Sequence, residues 1–158
     1  MTRLQSLLRR LVPALVAAVM LPALSARAAE PAAEQPTVLI TGSNRGIGLE
    51  FTRQYAARGW NVIATTRRPD EATELRALAA RHPNVVIERL DITSDAEVAA
   101  LAAKYRGRPI DLLVNNAALL EKPERQLLGR LDYELFDRSF AINAIGPRPV
   151  TEALLENI

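Results

Sequence analysis

A glycine-rich segment between an apolar run and a helical pattern limits the fold of this 158-residue chain more than any other feature. It reads Thr41-Gly-Ser-Asn-Arg-Gly-Ile-Gly48 and follows the apolar residues 37–40. Gly42 can turn with a positive φ, Gly46 lets phosphates approach the main chain, and Gly48 lets a helix pack closely on a strand. The free N–H groups of the first helical turn then face the phosphates, and the helix dipole favours their charge.

The segment therefore predicts a backbone cradle for the diphosphate of a dinucleotide. An ordinary glycine-rich loop is the alternative, and the strand before and the helix after the segment favour the cradle. The predicted contacts come from Gly42, Ser43, Asn44, Arg45, Gly46, Ile47 and Gly48.

Strand-type and helix-type patterns alternate after residue 36, which is typical of a parallel sheet with helical crossovers. Strands are predicted at 37–40, 61–66, 85–90 and 110–114. Apolar residues at helical spacing predict helices marked by Ile47, Phe51 and Tyr55, by Leu75, Leu78 and Ala79, by Val98, Leu101, Ala102 and Tyr105, and by Leu135, Phe136 and Phe140. The predicted fold class is α/β, a Rossmann-type doubly wound parallel sheet.

The ends of the helices carry further signals. Gly59 suits the C-terminal cap of the first helix. Ser94 and Glu97 form a capping box, in which each side chain satisfies a free backbone donor. The last helix keeps its apolar period from Val150 to Ile158 without a residue that ends it, and only four strands precede it. We therefore expect a sequence truncated after strand four and its following helix.

The first residues resemble a secretory signal peptide. Arginines 3, 9 and 10 precede the apolar residues 11–21, and Ala26-Arg-Ala28 supplies small residues for cleavage. We predict a leader at 1–28, a linker at 29–36 and the Rossmann domain at 37–158. If this leader directs export, the protein is periplasmic or secreted. Arg9 and Arg10 would fit the twin-arginine route, although Leu8 stands where that signal usually has Ser or Thr. An uncleaved anchor or a wrongly assigned start codon is the alternative, and without a functional leader the protein is cytoplasmic.

Composition narrows the classes of partner. The leader carries four of the 20 basic residues and no acid, so the remaining chain has 16 basic and 18 acidic residues. That balance gives no electrostatic basis for binding nucleic acid or an anionic membrane, and no stable membrane span is expected after leader removal. Cysteine is absent and His82 is the single histidine, so no metal site is predicted.

Three more motifs follow the glycine segment in order: Asp91 after strand three, Asn115-Asn-Ala-Ala118 after strand four, and Asn143 in the last helix. With them, residues 36–158 resemble the short-chain dehydrogenase/reductase family in its classical branch. The amino-acid sequence of the glycine segment is similar to that of the C-factor, sniffer and carbonyl-reductase group. The resemblance implies hydride transfer between a nicotinamide coenzyme and a small carbonyl or alcohol substrate, and a homo-oligomer for the full-length enzyme.

The resemblance also implies roles for single residues. Asp91 and Ile92 would lie beside the adenine, with Asp91 as only a cap of its loop as the alternative, while Asn115, Asn116 and Ala117 would border the coenzyme. Asn143 would hold a water of the proton relay through its carbonyl oxygen. Its spacing from Phe136 and Phe140 predicts a buried side chain on the inward helix face. Pro147, four residues later, has no N–H to donate to that carbonyl, although a purely structural kink is the alternative.

The residues after strand two predict the coenzyme. NAD-selective enzymes place an acid there to bind the ribose 2′-hydroxyl, whereas this chain reads Thr65-Thr-Arg-Arg68. Arg67, together with Arg45, can hold a 2′-phosphate through forked, charge-assisted hydrogen bonds. We therefore predict NADP(H); the alternative is that both arginines only solvate a loop.

A catalytic tyrosine is not found in this sequence. The family uses a serine and a Tyr-x-x-x-Lys pair, but the three tyrosines here are followed four places on by Gly59, Pro109 and Asp137. Asn143 is thus the one catalytic candidate. We expect an inactive fragment of an NADP(H)-dependent oxidoreductase. The alternatives are an inactive nucleotide-binding or protein-interaction module of the same fold, and an exported protein that keeps the fold without the coenzyme.

Overall fold

Four parallel strands form the sheet of this protein. The computed structural model describes residues 35–120, 129 and 132–158. Its strands are β1 (Thr37–Ile40), β2 (Asn61–Thr66), β3 (Val85–Arg89) and β4 (Leu112–Val114), in the order β3-β2-β1-β4. That is the order of the first four strands of a Rossmann fold, with the reversal of strand order between β1 and β4. The predicted fold class is confirmed.

Helices lie between the strands and after the last one. They are α1 (Gly46–Ala57), α2 (Thr73–Ala79), α3 (Asp95–Tyr105), α4 (Tyr133–Phe140) and α5 (Pro147–Ala153). A 3₁₀ turn (Pro69–Glu71) precedes α2, and a π-helical segment (Ala141–Ile145) joins α4 to α5. Two strands have the predicted bounds, β3 ends one residue early, and β4 begins two residues late. Ile110 N–H donates to Asn157 O instead of to a neighbouring strand.

The sheet is covered on both faces. Leu39 of β1 and Ile63 of β2 pack with α3 and α5 in one apolar cluster. Val38 and Val62, their neighbours in sequence, point the other way and pack with α1 and α2. Strands buried on both faces carry apolar residues at consecutive positions, as Val38–Ile40 of β1 and Val62–Ala64 of β2 do.

Helix α1 buries a different face from the one that its large apolar residues mark. Its buried residues are Gly48, Thr52 and Ala56. Ile47 is 70% exposed and Phe51 is 37% exposed. Small side chains let the helix approach the sheet closely, and the Thr52 hydroxyl is satisfied within the helix because it donates to Gly48 O at 2.8 Å.

The C-terminal helix is interrupted and shorter than predicted. In the π-helical segment, Gly146 N–H donates to Ala141 O, five residues back, at 2.8 Å. Phe136 and Phe140 are exposed, and α5 ends at Ala153 although the apolar period continues to residue 158. Asn157 is used elsewhere: its Nδ2 donates to Tyr105 O and Arg108 O, at the C-terminal end of α3.

The predicted leader, residues 1–28, and residues 29–34 of the predicted linker lie outside the described residues. In the described part of the chain, no helix has the length and apolar character needed to cross a membrane. The same residues contain no group of three or more His, Cys, Asp or Glu side chains that could hold a metal ion.

Candidate functional site

A cleft of about 720 Å³ opens at the carboxyl ends of the strands. Such a cleft, where the strand order reverses, is where open α/β sheets bind ligands. Most of the residues predicted to contact a coenzyme line it: Gly42, Asn44, Arg45, Gly46, Ile47, Gly48, Arg67, Asp91, Ile92, Asn116 and Ala117.

The glycines of the loop between β1 and α1 serve different purposes. Gly42 has φ +70° and Gly46 has φ +57°, a conformation that L side chains rarely adopt. A Cβ on Gly48 would overlap the Gly42 carbonyl and come within 2.5 Å of Asn116 Nδ2. A Cβ on Gly46 would meet no atom within 4 Å, so the space above that residue is free for a ligand.

The N-terminus of α1 has no anionic partner of its own. Arg45 at the N-cap makes no side-chain capping bond, and the first turn carries no acidic residue. In α3, by contrast, the Ser94 hydroxyl accepts from Glu97 N–H at 3.3 Å. The first-turn residues of α1 line the cleft, so their amides and the positive end of the helix dipole fit the diphosphate of a dinucleotide.

The glycine loop is tied to the end of β4. Asn116 Nδ2 donates to Thr41 O at 2.9 Å and to Gly42 O at 3.1 Å. The Thr41 hydroxyl accepts from the backbone N–H groups of Asn116 and Ala117, both at 2.9 Å. Asn116, one of the asparagine pair for which the resemblance implies a place beside the coenzyme, lines the cleft.

Two residues predicted to contact the coenzyme lie away from the cleft wall. Ser43 is fully buried beneath the loop, where its hydroxyl donates to Ile40 O and its N–H to Thr65 O. Asn115 is exposed, and its Nδ2 donates to the Thr151 hydroxyl on α5 at 3.1 Å. Both positions therefore hold elements together in this structure and present no side chain to the cleft.

Arginines supply the positive charge of the cleft wall. Arg45 and Arg67 line the cleft, and neither forms a salt bridge within the described residues. Arg68 also lines it, but its Nη1 lies 3.0 Å from the Glu71 carboxylate. Two guanidinium groups without a salt bridge in the described residues therefore face the cleft, which Glu71 and Asp91 also line. The residues that end β2 include no acid.

Asp91 is held as a carboxylate. Burial raises its pKa, but hydrogen bonds from Thr93 and the charges of Arg67 and Arg89 outweigh that effect, so the pKa lies below its usual value. Thr93 donates to Asp91 Oδ1 from both its N–H, at 3.0 Å, and its hydroxyl, at 2.7 Å. Asp91 can therefore act as a hydrogen-bond acceptor on the cleft wall at neutral pH.

Asn143 is exposed, so the expectation of a buried side chain is wrong. Its amide is nevertheless paired, because Oδ1 accepts from Leu119 N–H at 2.7 Å and Nδ2 donates to Leu119 O at 2.9 Å. Asn143 lies in the π-helical segment, a type of helix found frequently at functional sites. Phe136 and Phe140, whose spacing predicted the inward face, are exposed as well, so the helix does not bury that face in the described structure.

Several residues of the site were not identified from sequence. Thr41 and Glu97 act through backbone groups of residues that line the cleft, and the Thr-Gly pair at the end of β1 was the available signal for Thr41. The remaining lining residues are Thr66, Arg68, Glu71, Ala72, Leu90, Ala118, Leu119, Leu120 and Ile142.

The comparisons with known proteins agree with this geometry. Residues 36–158 match the sequence model for short chain dehydrogenase. Because the match covers well over half of the chain, the protein belongs to the short-chain dehydrogenase/reductase family.

Individual relatives are similar to the same part of the chain. Salutaridine reductase from Papaver bracteatum is 33% identical, over 74% of this chain and 48% of the relative. The crystal structure of NADPH-bound carbonyl reductase from chicken fatty liver has a TM-score of 0.71 at 33% identity, covering 78% of this chain and 51% of that one. A putative short-chain dehydrogenase/reductase from Burkholderia multivorans with bound NADP has a TM-score of 0.69 at 36% identity, covering 77% and 53%. The chain spans about half the length of these relatives.

Proposed function

We propose that this chain binds NADP(H) and forms the coenzyme-binding part of an oxidoreductase that interconverts carbonyl compounds and alcohols. One observation carries the proposal: the N-terminus of α1, without an acidic residue or a side-chain cap, lies in the same cleft as Arg45 and Arg67. The amides of the glycine loop bind the diphosphate, and the two guanidinium groups bind the 2′-phosphate. The NADPH-bound and NADP-bound relatives support this assignment.

The other end of the cleft takes the adenine. Asp91 accepts a hydrogen bond from the adenine amino group, and Ile92, which is buried beside it, forms the apolar floor. Ala117 closes the wall next to Gly42. A Cβ added to Gly42 would come within 2.7 Å of Ala117 Cα, so only glycine allows this approach. This close approach keeps the loop and the end of β4 together under the ligand.

The chemistry of the full-length enzyme involves Asn143. When bound, the coenzyme supplies or accepts the hydride that interconverts a small carbonyl compound and its alcohol. Asn143 fixes the backbone of Leu119 on the cleft wall, and Pro147 cannot donate a hydrogen bond to the Asn143 carbonyl. That carbonyl is the group we propose for the water of the proton relay. Because the sequence has no Tyr-x-x-x-Lys pair, we expect coenzyme binding without turnover from these 158 residues.

Calorimetric titration of the full chain tests the proposal. We expect NADPH to bind more tightly than NADH, and Arg67→Ala to remove most of that difference. Loss of a charged hydrogen bond corresponds to about 1.5–3 kcal/mol, or roughly 10- to 150-fold in Kd. Arg81→Ala is the control, since that exposed arginine lies just after α2 and, among the described residues, its side chain donates only to Ala77 O. No heat with either coenzyme would contradict the proposal, as would equal affinities that Arg67→Ala leaves unchanged.

The leader-like residues 1–28 lead us to propose export to the periplasm or medium, with cytoplasmic residence as the alternative. The N-terminal sequence of the exported protein should then start at the residue after Ala28, whereas an intact cytoplasmic chain would contradict export.

For the full-length enzyme we propose self-association, which the exposed apolar side chains of Tyr133, Phe136 and Phe140 on α4 support. Phe136→Glu should then shift sedimentation toward the monomer.

A further inference from the structure

Glu97 joins the end of β3 to the first turn of α3. Its Oε2 accepts from Asp91 N–H at 2.6 Å, and its Oε1 accepts from Arg89 Nε–H at 2.9 Å. In a standard capping box, the carboxylate would reach the N-cap residue, Ser94. Here Ser94 N–H already donates to Asp91 O, so the Glu97 carboxylate is directed three residues further back. The bond to Asp91 is charge-assisted, and such bonds are stronger than neutral ones.

The turn that begins at Asp91 is held together by its own hydrogen bonds. Ser94 N–H closes it onto Asp91 O at 3.0 Å, and Thr93 holds the Asp91 carboxylate with two hydrogen bonds. Ser94 also joins the turn to α3, because it is the N-cap of that helix and its hydroxyl accepts from Glu97 N–H. The Glu97 carboxylate adds a second attachment, directly at the backbone N–H of the residue whose side chain lines the cleft.

We propose that Glu97 is a positioning residue that sets the selectivity of the cleft for adenine. It acts through the Asp91 backbone and has no contact with the ligand, since Glu97 does not line the cleft. This role rests on the proposed binding of NADP(H), with adenine beside Asp91. Hydrogen bonds weaken steeply when their angle departs from linear, so a small rotation of the turn removes recognition of the adenine amino group.

The test compares two coenzymes that differ at the adenine amino position. NADPH carries the amino group, while reduced nicotinamide hypoxanthine dinucleotide phosphate has a carbonyl oxygen there, which cannot donate to Asp91, and a proton on the adjacent ring nitrogen. The full chain should bind NADPH about tenfold more tightly than the hypoxanthine coenzyme, as expected for one hydrogen bond to a charged group. Glu97→Met, which keeps the length of the side chain but accepts neither hydrogen bond, should reduce this ratio to about one.

Glu97→Gln should restore part of the selectivity. Its amide oxygen can still accept from Asp91 N–H, although the charge and the pairing with Arg89 are lost. The Asp91 amide proton should shift upfield in the NMR spectrum of Glu97→Met and move back toward the wild-type position in Glu97→Gln. Glu50→Gln is the matched control, because it removes an exposed glutamate that pairs with Arg53 on α1. That variant should keep both the coenzyme ratio and the Asp91 signal.

The outcomes separate this role from the proposed function. If the wild-type chain binds NADPH and Glu97→Met keeps the wild-type ratio of affinities, the positioning role is wrong and the coenzyme assignment stands. A merely structural role would weaken both coenzymes equally and leave their ratio unchanged. Should the wild-type chain bind neither coenzyme, the proposed function fails and the positioning role with it. If Glu97→Met does not fold, the ratio measured with Glu97→Gln decides.

Discussion

Leu119 and Asn143 exchange two hydrogen bonds across 24 residues of sequence. The Leu119 N–H donates to Asn143 Oδ1, and Asn143 Nδ2 donates to Leu119 O, so one side-chain amide pairs with both backbone groups of one residue. Leu119 lines the cleft, whereas Asn143 belongs to the π-helical segment after α4. The pairing therefore links the cleft wall to the candidate catalytic position, and it requires a group that is both donor and acceptor.

Asn143→Asp should break this link on one side. A carboxylate still accepts from Leu119 N–H but turns a second oxygen toward Leu119 O, where the asparagine had a donor. We expect a loss of about 1 kcal/mol in the free energy of unfolding, because the site is exposed, and faster hydrogen exchange at the Leu119 amide. The control is Asn61→Asp, at an exposed asparagine bonded to Gln35 O. Unchanged protection of the Leu119 amide in Asn143→Asp would contradict the link.

Thr41 and Thr65 offer a matched pair of buried hydroxyls. Thr41 Oγ1 accepts two backbone hydrogen bonds from the strand end at Asn116 and Ala117. Thr65 Oγ1 is equally buried but has no hydrogen-bond partner in the described structure. Replacement by valine keeps the shape, so Thr41→Val should cost about 2 kcal/mol through the two unpaired amides. Thr65→Val should be neutral or stabilising, since it removes a buried polar group. Urea unfolding measures both, and equal losses would refute the distinction.

Local signals in the sequence were sufficient for the sheet and most of the cleft wall. The positions of β1 and β2 follow from the apolar residues at their centres, and the turn at Gly42 follows from the need for a positive φ. The carboxyl ends of parallel strands lie at the same edge of the sheet, where the cleft forms. The fold class alone therefore predicts that the segments after β1, β2, β3 and β4 come together, and no knowledge of long-range contacts is needed. Arg67 and Asp91 were found in this way, each directly after a predicted strand.

Contacts between distant residues were not accessible from the same patterns. The apolar spacing located α1 but not its buried face, because Thr52 can be buried once its hydroxyl bonds within the helix. The chain after α5 is held by Asn157, whose partners include Tyr105 O, 52 residues away. Ser43 was assigned to the ligand by its motif, yet Ile40 and Thr65 use both of its donors. Such partners are set by packing, which spacing along the chain does not encode.

Substitutions at Gly48 and Gly59 test steric crowding and backbone strain separately. Gly59 has φ +80°, and a Cβ added there would meet no atom within 4 Å, so Gly59→Ala should cost about 1–2 kcal/mol of stability and leave NADPH binding unchanged. A Cβ at Gly48 displaces Gly42 O and Asn116 Nδ2, at a cost of about 1–3 kcal/mol, and deforms the phosphate cradle. Gly48→Ala should therefore lose NADPH affinity at comparable stability. Calorimetry on the two folded variants decides, and equal NADPH affinities would contradict the assigned role of Gly48.

The Tyr105 hydroxyl donates to Glu88 Oε1 at 2.7 Å, beneath the sheet edge that β3 forms. Lys104 Nζ donates to the same oxygen at 2.6 Å, and Glu88 itself is buried. Burial of the phenol, followed by the hydrogen bond to Glu88 and the charge of that carboxylate, raises the pKa of Tyr105 well above its ordinary value, with a smaller opposing effect from Arg108. The folded protein therefore holds the phenolic proton more tightly than the unfolded chain does.

The sign of the pH dependence follows from this difference. A pKa raised in the folded state adds stability that is fully present below the unfolded value of about 10 and is lost as the pH rises further. Tyr105→Phe removes the titrating group, so its free energy of unfolding should fall less steeply than that of the wild type from about pH 9 to 11. Urea unfolding across this range gives the two slopes, and phenolate absorbance shows whether Tyr105 ionises only on unfolding. Parallel slopes would mean that the phenol titrates alike in both states, contrary to its burial against Glu88.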